Sequence, residues 1–78
     1  MATIEKIKKI IFDNIDNKVN IEDHTNLRND LEVDSFDVLM IMNGIEDEFA
    51  ISLEENDFKE INTPLEIQKL LKDKYGVL

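Results

Sequence analysis

Apolar residues in this chain recur at helical spacing, and no segment alternates apolar and polar residues for long. Ile4, Ile7, Ile11 and Ile15 form one stripe, and Val38, Ile41, Met42, Ile45 and Phe49 form a second. Leu65, Ile67, Leu70, Leu71 and Tyr75 form a third. Helices with one apolar face must bury it against one another, because no sheet is available to cover it. Two glycines and one proline leave few places for tight turns. The expected fold is all-α. It is a small bundle of three main helices plus one short helix, with a long loop between the first two, in a single domain over residues 1–78.

The first helix is predicted from about Thr3 to Asp16, with Thr3 as N-cap and Lys6, Lys9 and Asp13 on the wet side. Lys6, Lys8 and Lys9 read together as a solvated face. From Asn17 to Asp34 no helical stripe persists, and Asn, Asp and Thr are frequent, so this is a loop. Val19, Ile21, Leu27 and Leu31 are spaced to pin it to the core. Loops of this length usually carry function. The second helix is predicted from Ser35 to Phe49, with Asp34 as N-cap and Asp37 adding favourable charge to the first turn. A short helix over Glu55 to Glu60 would turn Phe58 and Ile61 inward. Thr63-Pro64-Leu65-Glu66 is a capping box with proline at the first helical position, and Gly76 can end the helix it starts.

Composition removes several classes of function. No cysteine is present, which excludes disulfides, a thiol nucleophile and cysteine-rich zinc sites. His24 is the only histidine and reads as a surface loop residue. Asp30, Glu32 and Asp34 begin like a calcium loop, but Ser35 and Ile41 stand where glycine and glutamate are needed, so no metal site is expected. No segment is long and apolar enough to span a membrane, and lysines break the apolar run near the N-terminus. A soluble, cytoplasmic monomer is expected. The net charge of -9 argues against nucleic acid. Between Asp30 and Glu60 stand 11 carboxylates against Lys59 alone. That clustering suits basic protein partners drawn in by electrostatic steering, although acidity also serves simple solubility.

Ser35 lies at the junction of the long loop and the second helix, within Asp30-Leu31-Glu32-Val33-Asp34-Ser35-Phe36-Asp37. Its hydroxyl can serve as a helix-start cap. On the residues alone that cap is the leading reading, and the other is a modification site, since a helix N-terminus favours an attached phosphate. Hydrolase chemistry is excluded: there is no Gly-x-Ser-x-Gly elbow, one histidine and no room for a triad with its pocket. No catalytic residue is expected.

This octapeptide resembles the Asp-Leu-Gly-x-Asp-Ser-Leu-Asp motif of the acyl carrier protein family. Glu46-Asp47-Glu48-Phe49 is similar to the family's Glu-Glu-Glu-Phe, and Ile61-Asn62-Thr63 to its Ile-x-Thr. Glu32 stands where the family usually has glycine, Phe36 where it has leucine and Met40 where fatty-acid carriers have glutamate. The resemblance implies that a phosphopantetheinyl transferase places a covalent 4'-phosphopantetheine arm on Ser35. The arm then carries acyl groups as thioesters for fatty acid or related polyketide or specialised lipid synthesis, and the chain is not itself an enzyme. A D-alanyl or other specialised carrier, or an unmodified acidic interaction module, is the alternative. The transferase and acyl-processing enzymes with basic faces are the implied partners, met by Asp34, Phe36, Asp37, Met40, Glu46 and Asp47. Phe36 and Met40 are expected to be exposed beside Ser35, with Leu39 at the boundary of the two helix faces. Gly44 is expected to permit close helix packing or, alternatively, to leave room for an acyl chain.

Overall fold

A computed structural model describes residues 2–16, 18–59 and 61–78. Its order is α1 (Thr3–Asp13), α2 (Ser35–Phe49), a 3-10 turn (Glu55–Phe58) and α3 (Pro64–Tyr75). Among the described residues there is no strand. Helix α1 packs against both α2 and α3. Ile7 and Ile11 of α1, Ile41 and Ile45 of α2, and Ile67 and Leu71 of α3 form the fully buried centre. Burying one such side chain contributes about 1.5–3 kcal/mol, which is how a chain this short holds together.

Helix α1 differs from expectation at both ends. Ala2 is the N-cap, and Thr3 lies inside the helix with its hydroxyl donating to the Leu78 carbonyl. That bond ties the two ends of the described chain together, and the helix begins one residue early, so the N-cap position falls to Ala2, which has no side-chain cap. The helix stops at Asp13, because side chains take over its last carbonyls. Asn14 Nδ2 donates to Ile10 O at 2.8 Å, and Lys18 Nζ donates to Phe12 O at 2.7 Å. Such partners satisfy the orphan groups of a helix end and let the chain turn. The lysine face is also less wet than expected. Lys8 is tucked between Glu5 and Asp23, with its side chain only 19% exposed. Lys6 is half-buried, with its ammonium 6.0 Å from the Phe49 ring centre.

The long loop is knit into the body. Ile15, Ile21, Leu27 and Leu31 reach the core. Val19 does not, since Ile15 and Ile21 already fill the core on either side of it and residues 18–20 between them are exposed. Leu27 N donates to Asn62 O at 2.8 Å, and Leu65 N donates to Asp23 O at 3.1 Å. The start of this loop at Asn17 lies outside the described residues.

Helix α2 starts on a full capping box. Asp34 Oδ1 accepts from Asp37 N at 3.0 Å, and Asp37 Oδ2 accepts from Asp34 N at 3.2 Å. Val38, Met42 and Phe49 are half-buried beside the core. At Gly44 an added Cβ would lie 2.8 Å from Ile10 Cγ2, so α1 and α2 approach closely there. Glu60, the expected end of the short helix, lies outside the described residues; Phe58 is buried and Ile61 half-buried. In α3, Thr63 Oγ1 accepts from Glu66 N, but Glu66 Oε1 accepts from Asn62 N instead of closing the box on Thr63. Leu65 is exposed, contrary to expectation. Pro64, Ile67 and Leu71 set the inward line, and Leu65 falls roughly 100° round the helix from Pro64. Gly76 ends the helix at φ 69°.

Candidate functional site

Ser35 is the first residue of α2 and is exposed. Its hydroxyl is bonded to no described residue, because Asp34 and Asp37 already cap the helix between them. The cap reading of this serine is thereby removed. What remains is a free hydroxyl at a helix start, held at a fixed place by the box beneath it.

Ser35 stands on the rim of an open cleft of about 880 Å³ between α2 and the 3-10 turn. Val33, Val38, Met42, Leu53 and Phe58 supply its apolar lining. Leu39, Asn43, Glu46, Arg28 and Lys59 also border it. Its ionisable lining is Asp34, Glu46, Glu55, Arg28 and Lys59, with no histidine among the residues that border it. Among the described residues no group of three or more His, Cys, Asp or Glu could hold a metal ion. The site can therefore present a hydroxyl and cover an apolar group.

The residues singled out by the sequence divide over three surfaces. Asp34 and Asp37 sit at the cap, and Asp34 also borders the cleft. Phe36 is exposed beside Ser35, while Met40 is half-buried. Leu39 is the second exposed apolar residue, so the pair next to Ser35 is Phe36 and Leu39. Asp47 is exposed. Glu46 is partly turned inward, and its Oε2 accepts from Leu53 N at 2.8 Å, which fixes the chain after α2 as a cleft wall.

Three features of the site escaped the sequence. Arg28, the only arginine, reaches from the long loop to the far wall. Its Nη2 donates to Phe58 O at 2.8 Å, and its Nη1 donates to Ile61 O at 3.1 Å and to Asn62 Oδ1. Asp57 anchors the 3-10 turn from outside, with its side chain only 6% exposed. It accepts from Lys74 Nζ at 2.7 Å, from Glu54 N at 2.9 Å and from the Tyr75 hydroxyl. Burial alone would raise this carboxyl, but those three donors outweigh it and hold it below the ordinary aspartate value. The bond to Asp57 raises Lys74 and Tyr75 in turn. The third feature is Glu32, which holds a left-handed φ of 55° three residues before Ser35. An arginine alone in a long loop was a visible signal, and so was Glu32 at a position where the family usually has glycine; Asp57 needs the folded chain.

Comparison with known proteins follows the same line. The family profile described as "Phosphopantetheine attachment site" matches residues 5–71. An acyl carrier protein of Lactobacillus acidophilus is 33% identical over 72 residues, covering 91% of this chain and 90% of the relative. An acyl carrier protein of Buchnera aphidicola is 37% identical over 60 residues, covering 76% and 75% of the two chains. The cysteine-free composition, the exposed hydroxyl and the apolar cleft all fit an arm that brings its own thiol. With most of its length matched, the chain belongs to the phosphopantetheine-attachment family, and within it to the acyl carrier proteins.

Proposed function

We propose that Ser35 is the attachment point of the phosphopantetheine arm and that the protein tethers acyl groups there as thioesters, in fatty acid or related lipid synthesis. The observation that carries this reading is the unengaged Ser35 hydroxyl on the rim of an apolar cleft. The arm supplies the thiol that the chain lacks. The capping box holds Ser35 in one place, and the cleft offers an attached group a partly dry surface. Loading depends on a separate transferase, and the chain acts as a carrier.

Its partners are that transferase and acyl-processing enzymes with basic faces, in the cytoplasm. Asp34, Asp37, Glu46 and Asp47 attract them, and Phe36 supplies apolar contact with a smaller share from half-buried Met40. Incubation with coenzyme A and a broad-specificity transferase should add one phosphopantetheine to the intact mass. The Ser35→Ala protein should gain nothing, and a Ser35→Ala chain that is still modified overturns the assignment.

A further inference from the structure

The cleft that Ser35 borders carries both signs of charge. Asp34, Glu46 and Glu55 line it, and so do Arg28 and Lys59. Asp34 and Glu46 accept from the backbone N–H groups of Asp37 and Leu53, and Arg28 donates to the carbonyls of Phe58 and Ile61. Lys59 stands apart. It is the only basic residue between Asp30 and Glu60, it is exposed, and it forms no ion pair with a described residue. Its backbone is held from both sides. Lys59 N donates to Asn56 O at 3.3 Å, and Arg28 grips the carbonyls of Phe58 before it and Ile61 after it. Asp57, two residues earlier, ties the turn to Lys74 and Tyr75 of α3. The ammonium can therefore move only by the reach of its own side chain.

An enzyme that acts on Ser35 must close on the surface round it. A face that is basic throughout is attracted by the three carboxylates and repelled by the two cations, over about 10 Å at 0.1 M ionic strength. Of the two cations, Lys59 is the one whose charged end is bonded to no described residue, so it is the one that meets a partner. A repulsive group of this kind discriminates between partners, because the attractive groups act for all of them and it acts against some. We infer that Lys59 is a specificity-determining residue of the docking surface: it slows enzymes whose face is basic throughout and spares those that set a carboxylate opposite it. The inference rests on attachment at Ser35 and on basic-faced partners. It concerns encounter, since an exposed rim charge acts mainly on the association rate and its salt dependence.

Lys59→Glu changes the charged lining of the cleft from three carboxylates against two cations to four against one. Lys69→Glu makes the same change in net charge at an exposed position on α3, outside that cleft. Loading of each protein by a broad-specificity transferase with a basic docking face, followed by intact mass, separates local charge from total charge. At low salt Lys59→Glu should raise kcat/KM by at least about threefold and steepen its fall with added salt. Lys59→Met should raise it by less, and Lys69→Glu should stay close to wild type. In about 0.5 M sodium chloride all four proteins should converge. Lys59→Met removes the cation without adding a carboxylate, so it reads the effect even where the new glutamate disturbs the turn. A Lys59→Met protein loaded no faster than wild type overturns the inference, and so does a Lys69→Glu protein that gains as much as Lys59→Glu. A wild-type Ser35 that accepts no arm overturns the underlying reading itself, and this one with it.

Discussion

At Glu32 and Ala50 the backbone holds φ of 55° and 54°, a left-handed conformation in which an L side chain crowds the next carbonyl. Ala50 needs it to end α2, where its N–H returns to Glu46 O. Glu32 needs it to bring the long loop round to the Asp34 cap. Glycine adopts this conformation without the clash, though it loses more entropy on folding. Glu32→Gly and Ala50→Gly should each therefore stabilise the fold by about 0.5–1 kcal/mol in urea titrations. A loss of stability in both would show that neither position is strained. Gly44 answers to the opposite logic. Alanine there would gain roughly 1 kcal/mol of helix propensity. It would also press a methyl to within 2.8 Å of Ile10 Cγ2, and both helices would have to shift. Gly44→Ala is expected to destabilise the protein by about 1 kcal/mol net.

At the level of elements, the 3-10 turn is held by bonds at its two ends more than by its own length. Arg28 grips its C-terminal carbonyls, and Asp57 ties it to the end of α3 through Lys74 and Tyr75. Four residues of 3-10 helix have little stability alone, so the cleft wall is as firm as these anchors. Asp57→Asn should destabilise the fold by roughly 1–2 kcal/mol, because donors remain that have lost a charged acceptor. The pH dependence has a definite sign. Asp57 lies below its ordinary value in the folded state, so its contribution is present above the unfolded aspartate value and lost as pH falls through the folded one. Lys74 and Tyr75 are both raised, so theirs is present below their unfolded values and lost as pH rises through the folded ones. The gap between wild type and Asp57→Asn should therefore be flat near neutral pH and close in acid. Thermal melts across pH check this, and a gap that persists unchanged below pH about 2 would refute it.

Over the whole molecule, the net charge of -9 is concentrated in the stretch from Asp30 to Glu60. Self-repulsion of this kind weakens the compact state and strengthens encounters with basic partners, and salt reverses both effects. Added sodium chloride should raise the melting temperature at neutral pH while slowing association with the transferase. The residues that read each effect separately differ from those the motif alone suggests. Asp37 is committed to the cap, so its substitution would perturb the helix; exposed Asp47 is the cleaner probe of steering. Asp47→Asn should flatten the salt dependence of loading kinetics. Phe36→Ala and Leu39→Ala should weaken transferase binding by roughly 1 kcal/mol each with the salt slope kept, since they remove apolar contact alone. If all three variants load like wild type at every salt concentration, α2 is not the docking surface.

The helices, their order, the start of α2 at Ser35 and the acidic stretch were all legible in the chain before folding. Each depends on neighbours three or four residues apart, and such local patterns act whatever the rest of the chain does. Ser35 drew notice for the same reason, as a residue placed by a local motif. The tertiary structure decided what depends on distant partners. Thr3 is drawn from a cap to the Leu78 carbonyl, and Val19 and Leu65 are displaced from the core because Ile15, Ile21 and Pro64 fill it. Arg28 and Lys59 lie 31 positions apart in sequence, yet they line one cleft with Ser35. Side-chain bonds and core space are shared among segments remote in sequence, so which residue obtains them is settled only when those segments meet.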